Sequence, residues 1–192
     1  MHRADRALSS VATRALELLD GFDPGHSSRA VESVHRMRQL LQDSAAPLLR
    51  TSYDPGHVTA SAVVLSPDRD SVLLVYHERL QRWLQPGGHV EPDDASLVAA
   101  ARREVFEETG FRVRDDPPAR LVGVDVHEIP ATHSEPLHYH YDFMFSLTPA
   151  GDRDTGAPEG RVVWCRVAEL ESYGVDEPLI RGVQRARRLD GS

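Results

Sequence analysis

Apolar positions along this chain change their period, and each change marks a different kind of element. Up to about residue 47 the spacing is helical. Leu8, Val11, Ala15, Leu18 and Leu19 make one run; Val31, Val34, Met37, Leu40 and Leu41 make another after the turn-forming GFDPGHSS. Pro47 stops the second run, so the pattern predicts a helical hairpin. From His57 the period falls to two. HVTASAVVL sets His57, Thr59, Ser61 and Val63 on one face against Val58, Ala60, Ala62 and Val64 on the other. Pro67 and Asp68 turn the chain into SVLLVYH, a continuous apolar strand. LVGVDVHEI and PLHYHYDFMFSL read as further strands. The second alternates His138, His140 and Asp142 with Tyr139, Tyr141, Phe143 and Phe145, and the aromatic face is expected to pack inward. A loop rich in Gly, Asp and Pro over 149–160 precedes RVVWCRV, a last strand. EPLIRGVQRARRL is a closing helix whose Arg181, Arg185 and Arg188 read as a solvated face.

Between these strands lies GGHVEPDDASLVAAARREVFEETGF, residues 87–111. Leu97, Val98, Ala101 and Val105 recur at helical steps, Asp93 or Asp94 can accept the free amides of the first turn, and Gly110 ends the helix. A strand, a turn and a helix in this order put Gly87 at the mouth of a cleft, where its bare backbone can present a carbonyl to a cation. Glu104, Glu107 and Glu108 share one helix face. That is a poor arrangement for a helix alone: like charges at this spacing repel by roughly 0.2–0.5 kcal/mol per pair, and the negative helix pole repels them further. Arg103 is placed to pair with Glu107 one turn on, yet one arginine does not neutralise three carboxylates. The cluster therefore points to a bound cation, and all-oxygen ligands select hard ions such as Mg²⁺ or Mn²⁺.

These residues resemble the signature of the Nudix hydrolases, G-x5-E-x7-R-E-U-x-E-E-x-G-U with U aliphatic. The second half is present as Arg103, Glu104, Val105, Glu107, Glu108 and Gly110, with Phe111 at the closing position. In the first half, counting from Gly88, Asp94 stands at the acidic position, and one extra residue separates it from Arg103. The resemblance implies an α/β/α sandwich with a mixed sheet. It also implies a metal set made of the Gly87 carbonyl with Glu104, Glu107 and Glu108, with Arg103 orienting a glutamate. Glu104 or the loop residue Glu159 would serve as general base. The activity implied is Mg²⁺- or Mn²⁺-dependent hydrolysis of a nucleoside diphosphate linked to another group. Nucleoside triphosphates come first and nucleotide sugars second. His138, His140 and Asp142, with Arg82, are placed to grip the substrate; His138, His140 and Asp142 also have the composition of a non-haem metal site.

Composition narrows the alternatives. The 192 residues are 40% hydrophobic, which suits one domain with an extension: residues 1–50 as the helical extension and 51–192 as the hydrolase domain. The extension reads as a cover or a homodimer contact on a domain that could fold without it. A net charge of −8 opposes binding to a nucleic acid polymer. The chain contains no lysine, which excludes Schiff-base and phosphate-loop lysine chemistry and leaves arginine for every cationic contact. Cys165 cannot form an internal disulfide and sits in an apolar run, as a core residue would. No segment is long enough to span a membrane and no apolar stretch follows the N-terminal charges, so a cytoplasmic location is expected. A nucleotide sensor of the same fold is the alternative to an enzyme, although such sensors tend to have eroded glutamates.

Overall fold

The computed structural model describes residues 3–154 and 161–189, with side chains from residue 10 onward. The expectations at Leu8 and Glu159 lie outside these described positions. The chain opens with helices α1 (Arg3–Asp20) and α2 (Ser28–Asp43), the expected hairpin. Ser27 starts the second helix by accepting the Ala30 amide on its hydroxyl at 3.3 Å. Val11, Ala15 and Leu19 of α1 and Met37, Leu40 and Leu41 of α2 are buried. Val31 departs from the predicted stripe and is 50% exposed, while polar Ser33 is buried instead. The hydroxyl of Ser33 accepts the Val126 amide at 3.2 Å, which gives this buried polar side chain a partner.

Strands follow at β1 (Gly56–Val64), β2 (Ser71–His77), β3 (Arg82–Leu84) and β4 (Gly87–His89), then helix α3 (Leu97–Thr109). β5 (Arg120–Ile129), β6 (His138–Leu147) and β7 (Val162–Arg166) lead through a short 3-10 helix, Val167–Tyr173, to α4 (Glu177–Leu189). The strands form two sheets, a four-stranded one in the order β4-β1-β6-β5 and a three-stranded one in the order β3-β2-β7. In the second sheet β2 pairs antiparallel with both neighbours, Leu73 facing Trp164 and Tyr76 facing Trp83. All nine positions of β1 are buried, polar and apolar alike, and the strand has β4 and β6 on its two sides. β6 is likewise buried on both faces, His138 and Asp142 as well as Tyr141, Phe143 and Phe145. The aromatic face thus packs inward as expected, and the polar face does so too.

The chain divides into two compact units. The first joins residues 1–60, 89–100 and 124–143; the second joins residues 61–88, 101–123 and 144–192. The second unit has a core of Val63, Leu65, Val72, Leu74, Val122, Met144, Cys165, Leu179 and Val183. Cys165 is fully buried there, as its apolar setting predicts. On α4, Arg181 and Arg185 are half-buried and Arg181 pairs with Glu177 at 2.7 Å, so only Arg188 of the three keeps the expected solvated position.

In the first unit Arg29 of α2 grips Asp125 of β5 with both ends of its fork, Nε at 2.8 Å and Nη2 at 2.9 Å. Burial raises the Asp125 carboxyl, but hydrogen bonds from His127 and Arg29 and the charge of Arg29 outweigh it and hold the group below the usual aspartate range. Replacing Arg29 with Met is expected to cost about 2 kcal/mol at neutral pH, since a buried carboxylate loses a charged partner. A depressed folded value means that the unfolded chain takes up the proton first as pH falls. The pair's contribution is present above the ordinary aspartate value and fades through the folded one. Melting curves of parent and Arg29→Met should converge in acid; a gap that stays constant with pH would show that packing alone is lost.

Candidate active site

Glycine pair and glutamate helix meet within the second unit. Helix α3 begins at Leu97 because Ser96, directly before it, accepts the Ala99 amide on its hydroxyl at 3.1 Å. The cap expected from Asp93 or Asp94 is therefore supplied by Ser96. Asp94 closes the preceding turn, accepting the Glu91 amide at 2.8 Å while its own amide bonds to the Glu91 carbonyl at 3.0 Å. The helix buries Leu97, Ala100, Ala101 and Val105, leaving Val98 half-buried beside the predicted stripe. It ends as expected at Gly110, which takes a φ of +73° and returns its amide to the Phe106 carbonyl.

That helix aims its glutamates at β4. The Gly87 amide donates to Oε2 of Glu108 at 3.0 Å. Glu104 lies against Gly88 so closely that a Cβ there would stand 2.6 Å from its Oε1. Arg103 donates to Glu104 at 2.8 Å and to Glu107 at 3.1 Å, linking the two carboxylates through one guanidinium. Glu104 is mostly covered and Glu107 half exposed, so the group opens to solvent on the Glu107 side. Burial, and then the charges of Glu104 and Glu107, push the Glu108 carboxyl up to about 7 despite the Gly87 amide. Three acids with one arginine among them make a set that a hard divalent cation would neutralise. The oxygen donors and the glycine backbone fit such an ion.

The first unit holds a second concentration of titratable groups. One face of the four-stranded sheet carries His89 on β4, His57 on β1, His138 and His140 on β6 and His127 on β5, with adjacent ring centroids 4.9–5.6 Å apart. Burial lowers His57, holds His89 at about 4 and takes His140 to about 2, with neighbouring histidines adding to each shift. The sequence trio His138, His140 and Asp142 is thus divided. His57 joins the two histidines, whereas Asp142, buried, accepts the Thr59 hydroxyl at 3.1 Å. His57 was legible only as an alternating strand residue and His127 only as part of LVGVDVHEI, while His89 carried no signal of its own. Arg82 is exposed on β3.

With this geometry in hand, the profile of the NUDIX domain matches residues 55–186. The chain belongs to the NUDIX family. It is 34% identical over 119 residues to the "Probable DHNTP pyrophosphohydrolase" of Lactococcus lactis subsp. cremoris (strain MG1363), covering 60% of this chain and 68% of that one. It is 35% identical over 101 residues to the human "Diphosphoinositol polyphosphate phosphohydrolase 3-alpha", covering 50% of this chain and 56% of that one. The structure of a NUDIX hydrolase from Nitrosomonas europaea superposes with a TM-score of 0.50 at 26% identity, over 69% of this chain and 88% of that one. These relatives put the NUDIX chain in the class of Nudix-type pyrophosphohydrolases. Its α/β fold is the one that the signature implied, and its N-terminal helices are those that the helical spacing predicted.

Gly88 offers a test of the glutamate cluster that substitutes none of the glutamates. In Gly88→Ala the new methyl would meet the Glu104 carboxyl, the far end of a flexible side chain. The fold should accommodate it while Glu104 swings away. Since about 1 Å of misplacement can cost on the order of 100-fold in rate, kcat/KM should fall by about that factor with the Tm little changed. An unimpaired variant would show that the position of Glu104 is not critical.

Proposed function

We propose that this chain is a divalent-metal-dependent hydrolase that cleaves the diphosphate linkage of a small phosphorylated molecule, with nucleoside triphosphates first and nucleotide sugars second. The observation that carries this reading is the convergence of Glu104 and Glu108 on the Gly87–Gly88 backbone, with Arg103 tying Glu104 to Glu107. The Gly87 carbonyl with Glu104, Glu107 and Glu108 would hold Mg²⁺ or Mn²⁺. Such an ion supplies charge neutralisation at the phosphate oxygens and lowers the pKa of an attacking water. Arg103 holds two of the carboxylates in register, and Glu104, hydrogen-bonded to it, or the loop residue Glu159 would take a proton from the attacking water. Arg82, an exposed cation on a neighbouring strand segment of the same unit, suits the phosphate chain. His138, His140 and Asp142, which the sequence offered for substrate binding, belong to the first unit. Asp142 is already engaged by the Thr59 hydroxyl.

The names of the two relatives describe different organic groups, a DHNTP in one and a diphosphoinositol polyphosphate in the other. What they share is a diphosphate linkage, and that shared chemistry supports the reading for this chain. No helix among the described residues is long and apolar enough to cross a membrane. The apolar faces of α1 and α2 are largely spent inside the chain, which supports a covering role for the hairpin over a dimer contact. The test is release of phosphate or pyrophosphate from a panel of nucleoside triphosphates and nucleotide sugars. Turnover should require Mg²⁺ or Mn²⁺ and stop on chelation. Full activity in excess chelator would overturn the metal reading, and tight nucleotide binding without turnover would replace the enzyme by a sensor.

A further inference from the structure

We propose that His57, His138 and His140 form a binding site for a divalent transition metal, zinc first, with a ligand chemistry different from that of the glutamate cluster. One ligand nitrogen from each of the three rings lies within 4.8 Å of the other two. A tetrahedral ion with Zn–N bonds of about 2.0–2.1 Å sets its nitrogens roughly 3.4 Å apart, which ring rotations can supply.

The hydrogen bonds behind the rings prepare them for this role. Nδ1 of His57 faces the Ser52 carbonyl at 3.1 Å, and Nδ1 of His138 faces the Pro136 carbonyl at 2.8 Å. A carbonyl can only accept, so each Nδ1 carries the proton and each Nε2 is left with its lone pair. Backbone carbonyls behind metal-binding histidines fix the tautomer and the ring direction in the same way. His57 is 1% exposed, and among the described residues its Nε2 has no hydrogen-bond partner. A buried acceptor left unpaired costs about 1–3 kcal/mol; an ion shared with His138 and His140 accounts for it. Imidazoles suit Zn, Cu, Fe and Ni, whereas Mg²⁺ and Ca²⁺ take oxygen. Three histidines leave a fourth position open, and the ring of His89 stands 5.0 Å from that of His57 and 5.2 Å from that of His140. Since β1 supplies one ligand and β6 two, the ion would clamp adjacent strands.

The experiment uses the full chain stripped of metal and titrated with Zn²⁺ in millimolar Mg²⁺, which keeps the carboxylates supplied with their preferred ion. One Zn²⁺ per chain should bind, equally well in Glu108→Gln. Affinity in His57→Gln and in His140→Gln should fall by more than the ~10–100-fold that loss of an outer partner costs. Because a change at buried His57 can also upset folding, X-ray absorption of the unaltered zinc-loaded chain gives an independent reading. It should show imidazole nitrogens at about 2.0–2.1 Å. An oxygen-only shell, binding abolished by Glu108→Gln, binding undiminished in both histidine variants, or no binding in Mg²⁺ would each overturn the proposal.

Discussion

Glu108→Gln is expected to abolish turnover while leaving the metal-free protein at least as stable as the parent. The amide keeps the shape of the carboxyl and still offers an oxygen to the Gly87 amide, which donates to Oε2 at 3.0 Å in the parent. What it removes is a buried charge that Glu104 and Glu107 repel. Relief of each like-charge pair is worth a few tenths of a kcal/mol, so the metal-free variant should melt at or slightly above the parent. Mg²⁺ should reverse the order. A ligand present at 100 times its dissociation constant stabilises the folded state by about 2.7 kcal/mol, and only the parent keeps the complete carboxylate set. Loss of a group that stabilises developing charge costs on the order of 10²–10³ in kcat, and a metal ligand should cost no less. Paired melting curves with and without Mg²⁺, together with turnover on the best substrate, check both halves. A variant that melts well below the parent without metal would make Glu108 a structural residue.

Removing residues 1–50 is expected to cost the protein its fold. By pattern alone the hairpin reads as a separable cover, but its packing changes what removal should do. Asp125 would lose Arg29, the Val126 amide would lose the Ser33 hydroxyl, and the Val58 amide would lose the Pro47 carbonyl that accepts it at 2.8 Å. Arg36 sits over the Tyr139 ring at 4.4 Å, a contact worth about 0.5–2 kcal/mol. Loss of Arg29 from the buried Asp125 carboxylate costs about 2 kcal/mol. Added together on the residues left behind, these losses approach the 5–15 kcal/mol that holds a typical domain folded. The truncated chain should fail to accumulate in soluble form or to melt cooperatively. Met37→Ala in the full chain, which leaves a cavity at a fully buried position, should cost about 2–5 kcal/mol. A soluble 51–192 fragment melting within a few degrees of the full chain would refute the idea.

The elements that could be read in advance are those long enough to show a period: both hairpin helices, the glutamate helix, the terminal helix and five strands. β3 and β4, three residues each, carry no period, so they were legible only as a connection from Trp83 to the glycines. The spacing of Glu104, Glu107 and Glu108 announced a shared face, because helix geometry alone determines it. The approach of Glu104 to Gly88 could not be read, since it depends on where α3 lies against β4. The histidines show the same limit. His138 and His140 share a face by alternation, but the partnership with His57 comes from the placing of β1 beside β6, some eighty residues along the chain. Capping failed for a local reason: two aspartates and a serine competed, and the extra residue in the turn gave the position before Leu97 to Ser96.

The single cysteine makes the chain its own opening clock. Cys165 is fully buried on β7, and burial together with the nearby Glu169 pushes its thiol above the ordinary range. A thiol reagent added to the native protein therefore meets no reactive thiolate and must wait until β7 leaves β2. When reclosing outpaces labelling, the observed rate measures the population of that open form. With one thiol in the sequence there is one signal to follow. The same label, with no engineered site, can report how far Mg²⁺ or Zn²⁺ slows the opening in every variant described above.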